Sequence, residues 1–249
     1  MPELADSPAA TYAVCSVPIS AVDASEAARR IVRDAVEARA CQVHLCNAFT
    51  LSLVDQDDDL RTALLEADLN LADGVPVALL GRRHGMKGPV RGSELVGKVA
   101  TMGSGRLRHY LYGGKDGIAQ EMAGRLQHHV PGLQVVGTES PPFTPITDEH
   151  VGGLVRRVEE SRANILWIGL GTPRQDYLVR RLADRLSMPI VPVGAAFDFW
   201  AGSIKEAPRV VQGTGLEWLY RLAVEPRRLW RRYLLGNPRF LLSAWRHRG

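Results

Sequence analysis

Asn164-Ile-Leu-Trp-Ile-Gly-Leu-Gly-Thr-Pro-Arg-Gln-Asp-Tyr177 is the stretch whose reading decides the fold. An apolar run of strand length ends in Gly169 and Gly171, and Pro173 stands where the first turn of a helix running to about Leu186 should begin. This predicts a strand, a tight glycine turn and a helix N-terminus. Glycines let a ligand approach the backbone, and the unpaired N–H groups and dipole of a helix start attract negative charge, so a diphosphate suits such a turn. A purely structural turn has the same pattern. Arg174 and Gln175, polar groups in the first helical turn, favour a site.

The same alternation continues on either side. Upstream come strand Leu107 to Tyr112, the turn Gly113-Gly114 with Lys115 behind it, helix Gly117 to Val130 and strand Leu133 to Val136. A proline-rich loop, Ser140 to Pro145, leads to a helix from about Thr147 to Ser161. Downstream lies strand Pro189 to Val193. Repetition of this βαβ kind predicts an α/β fold with a doubly wound, mostly parallel, Rossmann-like sheet. Gly113 and Gly114, at a strand end, form a second turn suited to phosphate or ribose.

Nearer the N-terminus, residues 1 to about 10 are small and acidic and read as disordered. Tyr12 to Val17 reads as a first strand. Asp23 or Ser25 can cap a helix whose apolar face is Ala27, Ala28, Ile31, Val32, Ala35 and Val36. Gln42 to Cys46 is a second strand, with His44 read as a core residue and Asn47 at the carboxyl end. Ligands bind at that end of open α/β sheets, although a turn would use Asn as well. A helix over Asp57 to Ala67 and a short strand, Asp68 to Ala72, bring Asp73 to another strand end before a helix starting near Val75. Asp73 there serves either as a helix cap or as a general base. Arg91, in a loop entering the next helix, can bind phosphate or carboxylate in bidentate fashion.

After Gly194 the pattern changes. Ala195 to Pro208 reads as a connecting region, Val210 to Val224 and Pro226 to Leu235 as helices, and Asn237-Pro238 as the start of a third. From Arg221 onward there are eight arginines, no lysine and a single acidic residue, Glu225. Interleaved with Trp230, Tyr233, Phe240 and Trp245, they suit a polyanionic or anionic membrane surface, or docking on the sheet or another subunit.

Composition is that of a soluble globular protein: 45% hydrophobic, 23% charged, net charge +4 over 249 residues. Cys15, Cys41 and Cys46 lie in apolar segments without zinc spacing and read as buried thiols. No basic-then-apolar leader and no apolar run of about 18 residues occurs, which predicts a cytoplasmic chain that does not span a membrane.

Taken together, these residues resemble the WecG/TagA/CpsF glycosyltransferase family, also called glycosyltransferase family 26. The matching pieces are Leu71-Ala-Asp-Gly-Val75, Arg91-Gly-Ser-Glu-Leu95, Tyr112-Gly-Gly-Lys115, Ile168-Gly-Leu-Gly-Thr-Pro-Arg-Gln175, Val193-Gly-Ala-Ala-Phe-Asp-Phe199, Gly215-Leu-Glu-Trp-Leu-Tyr-Arg-Leu222 and Glu225-Pro-Arg-Arg-Leu229. The resemblance implies a metal-independent, cofactor-free, inverting transferase. It would move a sugar from a UDP-sugar to a polyprenyl-diphosphate-linked sugar at the cytoplasmic membrane face, with no nucleic-acid partner. It makes Asp73 the general base, in place of the capping role. Asn47, Arg91 and Gln175 would line the donor pocket, with the glycine turns Gly113-Gly114 and Gly169 to Thr172 about it. The division implied is a UDP-sugar-binding domain over 11–194 and a membrane-associating appendage over 195–249, whose Arg221, Arg228 and Arg231 complete the site. Family members often assemble into homo-oligomers through the α/β body.

Four departures stand out. Leu45 replaces the usual Thr two residues before Asn47, Asp176 replaces Glu after Gln175, Glu206 stands where a basic residue is common, and Ser140-Pro-Pro-Phe143 replaces a glycine-rich turn. They bear on the donor more than on the reaction. An oxidoreductase reading lacks a G-x-G-x-x-G turn followed by an acidic ribose ligand. A non-catalytic basic module binding nucleic acid or membrane is the other alternative.

Overall fold

A computed structural model describes residues 10–208, 210–211 and 214–247; the side chains of Arg228 and Arg231 are outside the described residues. The residues expected to be disordered, up to residue 9, also lie outside them. Among the described residues, eight strands form one sheet in the order β1-β2-β4-β3-β8-β7-β5-β6. They are β1 (Thr11–Val14), β2 (Val17–Ser20), β3 (Cys41–Cys46), β4 (Leu69–Ala72), β5 (Arg108–Gly113), β6 (Gln134–Glu139), β7 (Ile165–Gly169) and β8 (Pro189–Pro192). Among the described residues, β1 alone runs antiparallel to its neighbour and the other pairings are parallel.

The helices are α1 (Ala24–Val36), α2 (Ala48–Leu53), α3 (Asp58–Leu65), α4 (Val75–Leu80), α5 (Gly92–Met102), α6 (Ile118–His129), α7 (Asp148–Glu160), α8 (Arg174–Ala183), α9 (Ala196–Ala201), α10 (Glu217–Val224) and α11 (Pro226–Arg246). Alternate residues of the central strands feed two cores, as buried parallel strands require. Ile165, Trp167 and Leu111 pack with α1, α5 and α6, while Leu166, Ile168, Tyr110 and Tyr112 pack with α7 and α8. The doubly wound α/β fold read from the sequence is the one observed.

Several local expectations are corrected. Tyr12 to Val17 is not one strand but a hairpin, β1 and β2, joined at Cys15 and Ser16 with φ of 51° and 62°. A two-residue hairpin turn of type I′ has positive φ at both central positions, and here residues other than glycine supply it, so no turn signal was visible. Val36 is exposed rather than on the apolar face of α1. Residues 195–202 are not merely connecting: α9 buries Ala196, Phe197 and Ala201 and packs on α6. The helix expected from Val210 begins only at Glu217. The two helices expected after Pro226 are a single one, α11, running through Pro238. Proline removes the N–H that would serve the carbonyl four residues back, at Leu234; both residues lie on the exposed side, where water can serve it.

The glycine at the end of β5 has a packing role. A Cβ on Gly113, whose φ is 148°, would lie 2.5 Å from the Gly169 backbone on β7. Gly169 in turn leaves room for Phe197, whose ring would meet its Cβ at 2.5 Å. Gly113→Ala is therefore expected to destabilise the fold by about 2–3 kcal/mol, lowering Tm by roughly 5–10 °C. A thermal melt checks this; an unchanged Tm with weakened donor binding would instead assign Gly113 to ligand approach.

Candidate active site

The carboxyl ends of β3, β4, β7 and β8 converge on one cleft, as expected where neighbouring strands of an open sheet connect in opposite directions. Each strand end contributes a polar element. After β3, Asn47 caps α2: its Oδ1 accepts from the Phe49 and Thr50 amides at 3.1 Å. Its Nδ2 is then left to donate to Asp73 Oδ2 at 3.1 Å. One side chain thus fixes a helix start and orients a carboxylate.

Asp73 follows β4, with its own N–H donating to the Cys46 carbonyl at 3.0 Å. The capping alternative for Asp73 is overturned: α4 is capped by Gly74, at φ 95°, with no side-chain hydrogen bond. Asp73 is thereby free to face the cleft. Its pKa is raised, first by desolvation and to a lesser extent by Glu217; the Asn47 hydrogen bond, Arg232 and Arg221 oppose that rise. A carboxylate so placed is a stronger base than one in water.

After β7, Gly171 and Thr172 line the cleft, and buried Gln175 accepts the Gly171 amide hydrogen through Oε1 at 3.0 Å. After β8, Gly194 and Ala195 complete that wall. Arg91 precedes α5 and reaches the cleft from beside it, its guanidinium held in bidentate fashion by Glu217 of α10. From the C-terminal helices, Arg221 stands over the Phe199 ring at 5.5 Å and Arg232 over Phe49 at 4.6 Å. Cation–π contact of this kind fixes a guanidinium while leaving its N–H groups to other partners.

The structure therefore brings Asn47, Asp73, Arg91, Gly171, Thr172, Gln175 and Arg221 together. Gly113, Gly114 and Gly169 do not line the cleft: Gly113 and Gly169 serve the packing already described, and a Cβ on Gly114 would meet Ile118 of α6 at 2.6 Å. Arg228 and Arg231 fall outside the described side chains. Arg232 and Glu217 were not singled out from sequence. Helical spacing on α11 alone does not tell which arginine meets the cleft, because that depends on how α11 crosses α2. Gly236 sets that crossing: a Cβ there would come within 3.1 Å of Phe49.

The departures sort by position. Leu45 and Glu206 both line the cleft. Asp176 does not; it is buried against His44 of β3, Oδ1 to Nδ1 at 2.7 Å. Arg174 turns outward to donate to the Pro142 and Thr144 carbonyls and stack over Phe143, so it belongs to the proline-rich loop rather than to the cleft. Cys15, Cys41 and Cys46 are free and buried, and desolvation pushes all of these thiols up, keeping them protonated. Among the described residues, no group of at least three His, Cys, Asp or Glu side chains is arranged to hold a metal ion.

A second, more apolar cavity adjoins the first. Phe49, Val75, Pro76, Trp218, Tyr233, Phe240 and Leu241 form its walls. The two cavities share Asn47, Asp73, Glu217, Arg221 and Arg232. The Asp73 carboxylate thus stands at the junction of a polar and an apolar chamber.

Compared with known protein families, residues 12–249 match the model of the Glycosyl transferase WecG/TagA/CpsF family, nearly the whole chain. The chain belongs to that family. This WecG/TagA/CpsF member is accordingly a glycosyltransferase, of a family that works in cell-surface polysaccharide biosynthesis. Such an enzyme has a sugar donor and an acceptor. No helix among its described residues is long and apolar enough to cross a membrane.

Proposed function

We propose that the enzyme is an inverting, metal-independent transferase that moves a hexose or N-acetylhexosamine, or its uronate, from a UDP-sugar to a polyprenyl-diphosphate-linked sugar. The observation that carries this reading is Asp73 at the meeting of the two chambers. The polar chamber suits a nucleotide diphosphate: the Gly171-Thr172 turn at the start of α8, Arg91 and Arg221 offer N–H donors and positive charge. The apolar chamber, with Arg221 and Arg232 at its inner end, suits an acceptor having a diphosphate and a hydrocarbon tail.

On this reading Asp73 accepts the proton of the acceptor hydroxyl as that oxygen attacks the anomeric carbon from the face opposite UDP. The bond from the anomeric carbon to the diphosphate oxygen breaks, and UDP leaves with its charge stabilised by the arginines and the α8 start. Leu216, Leu219, Trp230, Leu234, Leu235, Leu241, Leu242 and Trp245 are exposed on or beside α10 and α11 among many arginines. An apolar surface so flanked by cations supports peripheral attachment to the inner membrane face, with α10 and α11 as the attaching appendage. A non-catalytic basic module gives no reason for two chambers meeting at one desolvated carboxylate.

The test is UDP release from a panel of UDP-hexoses and UDP-N-acetylhexosamines, with and without a short-chain polyprenyl-diphosphate sugar in detergent. Acceptor-dependent release from one donor is expected, and the same rate is expected in EDTA. No release from any donor overturns the donor class. Loss of turnover in EDTA that magnesium or manganese restores overturns the metal-free mechanism alone.

A further inference from the structure

Arg91 already holds an anion of this chain's own. Its Nε and Nη2 donate to Glu217 Oε2 and Oε1 at 3.2 and 2.7 Å, the forked geometry a guanidinium also offers a phosphate. Both side chains line the polar chamber and are about a quarter exposed, at 25% and 27%. They are desolvated enough to attract each other, yet reachable by a solute.

Glu217 lies in the first turn of α10, a helix in which no residue is buried and whose Leu219 and Val224 face solvent. Its helical partner is α11, through Trp218 on Tyr233. Its contacts with the α/β body include the Arg91–Glu217 pair and Arg221 over the Phe199 ring. A donor diphosphate approaching Arg91 would meet Glu217 as a like charge on the same fork, and both anions cannot use it together.

We propose that Glu217 is an internal counter-anion that occupies Arg91 in the unliganded enzyme and yields it to the donor diphosphate. Donor binding and the loosening of α10 from the body are then one exchange. The exchange is favoured because a diphosphate brings more negative charge to the guanidinium than one carboxylate does. Glu217 is thus a residue that sets donor affinity and couples it to the helix carrying Arg221 and Trp218. The proposal rests on the UDP-sugar reading above.

UDP titrated by calorimetry into the wild type and into Glu217→Gln tests it. The variant is expected to bind UDP about fivefold tighter, since the competing charge is gone. Equal or weaker binding by the variant overturns the exchange and makes Glu217 a mere support for Arg91. In the unaltered protein, UDP is expected to change the Trp218 emission, read as the difference from Trp218→Phe; no such difference overturns the coupling to α10. If the wild type itself binds neither UDP nor a UDP-sugar, the donor reading falls, and the exchange with it.

Discussion

Asp73→Asn is expected to lower sugar transfer about 10³-fold, the size of a general-base contribution, while UDP-sugar binding stays within about twofold. The asparagine keeps the shape and can still accept from Asn47 Nδ2, so the cleft is not rebuilt. What it loses is the ability to take a proton. The pH dependence follows from the raised pKa: the base works only when ionised, so the transfer rate should fall as pH drops through a value above the ordinary 3.8. The stability consequence has the opposite sign from a typical surface carboxylate. Between 3.8 and the raised value the folded chain binds more protons than the unfolded one, so stability declines as pH climbs through that window, and the ionised group is a net cost at neutral pH. Asp73→Asn should therefore melt no lower than the wild type, and above it if the cost is large. Near-normal turnover, measured as acceptor-dependent UDP release, would remove Asp73 from the mechanism.

Apolar strand-length runs ending in glycine gave away β5 and β7, because a doubly buried strand cannot hide its composition. They did not reveal why the glycines are there. Gly113 and Gly169 permit the backbones of β5 and β7 and the Phe197 ring to close up, while of the two glycines in the opening motif Gly171 is the one that lines the cleft. The same ambiguity applied to Asn47 and Asp73, each placed at a strand end where capping and chemistry use the same residue types. Asn47 caps α2 through Oδ1 and holds Asp73 through Nδ2, and no pattern of residue types distinguishes that case. The hairpin at Cys15-Ser16 and the short helix α9 escaped because positive φ in a non-glycine turn and a six-residue helix leave no periodic signal. Glu217 and Arg232 escaped for another reason: their meeting with Arg91 and the cleft depends on where α10 and α11 fold back, over more than a hundred residues of chain.

Asp176→Ala is expected to destabilise the fold by about 3–5 kcal/mol, the cost of removing one partner of a buried pair, which corresponds to a Tm drop of roughly 6–15 °C. His44 is fully buried on β3 and Asp176 is 1% exposed in the first turn of α8. The 2.7 Å contact ties α8 to the strand beneath it. Asp176→Asn keeps an acceptor for the imidazole and should cost less. His44→Leu with Asp176→Leu removes both polar groups, so the double variant should be far more stable than the sum of the single losses, as double-mutant cycles of coupled pairs show. Additive losses would mean that the residues do not act as a pair. The consequence reaches the cleft through one peptide: Gln175 precedes Asp176 and holds the Gly171 amide, so an α8 freed from β3 lets the donor turn drift. Asp176→Asn should accordingly raise the donor KM more than it lowers kcat, and a loss confined to kcat would place Asp176 in the chemistry instead of beneath it.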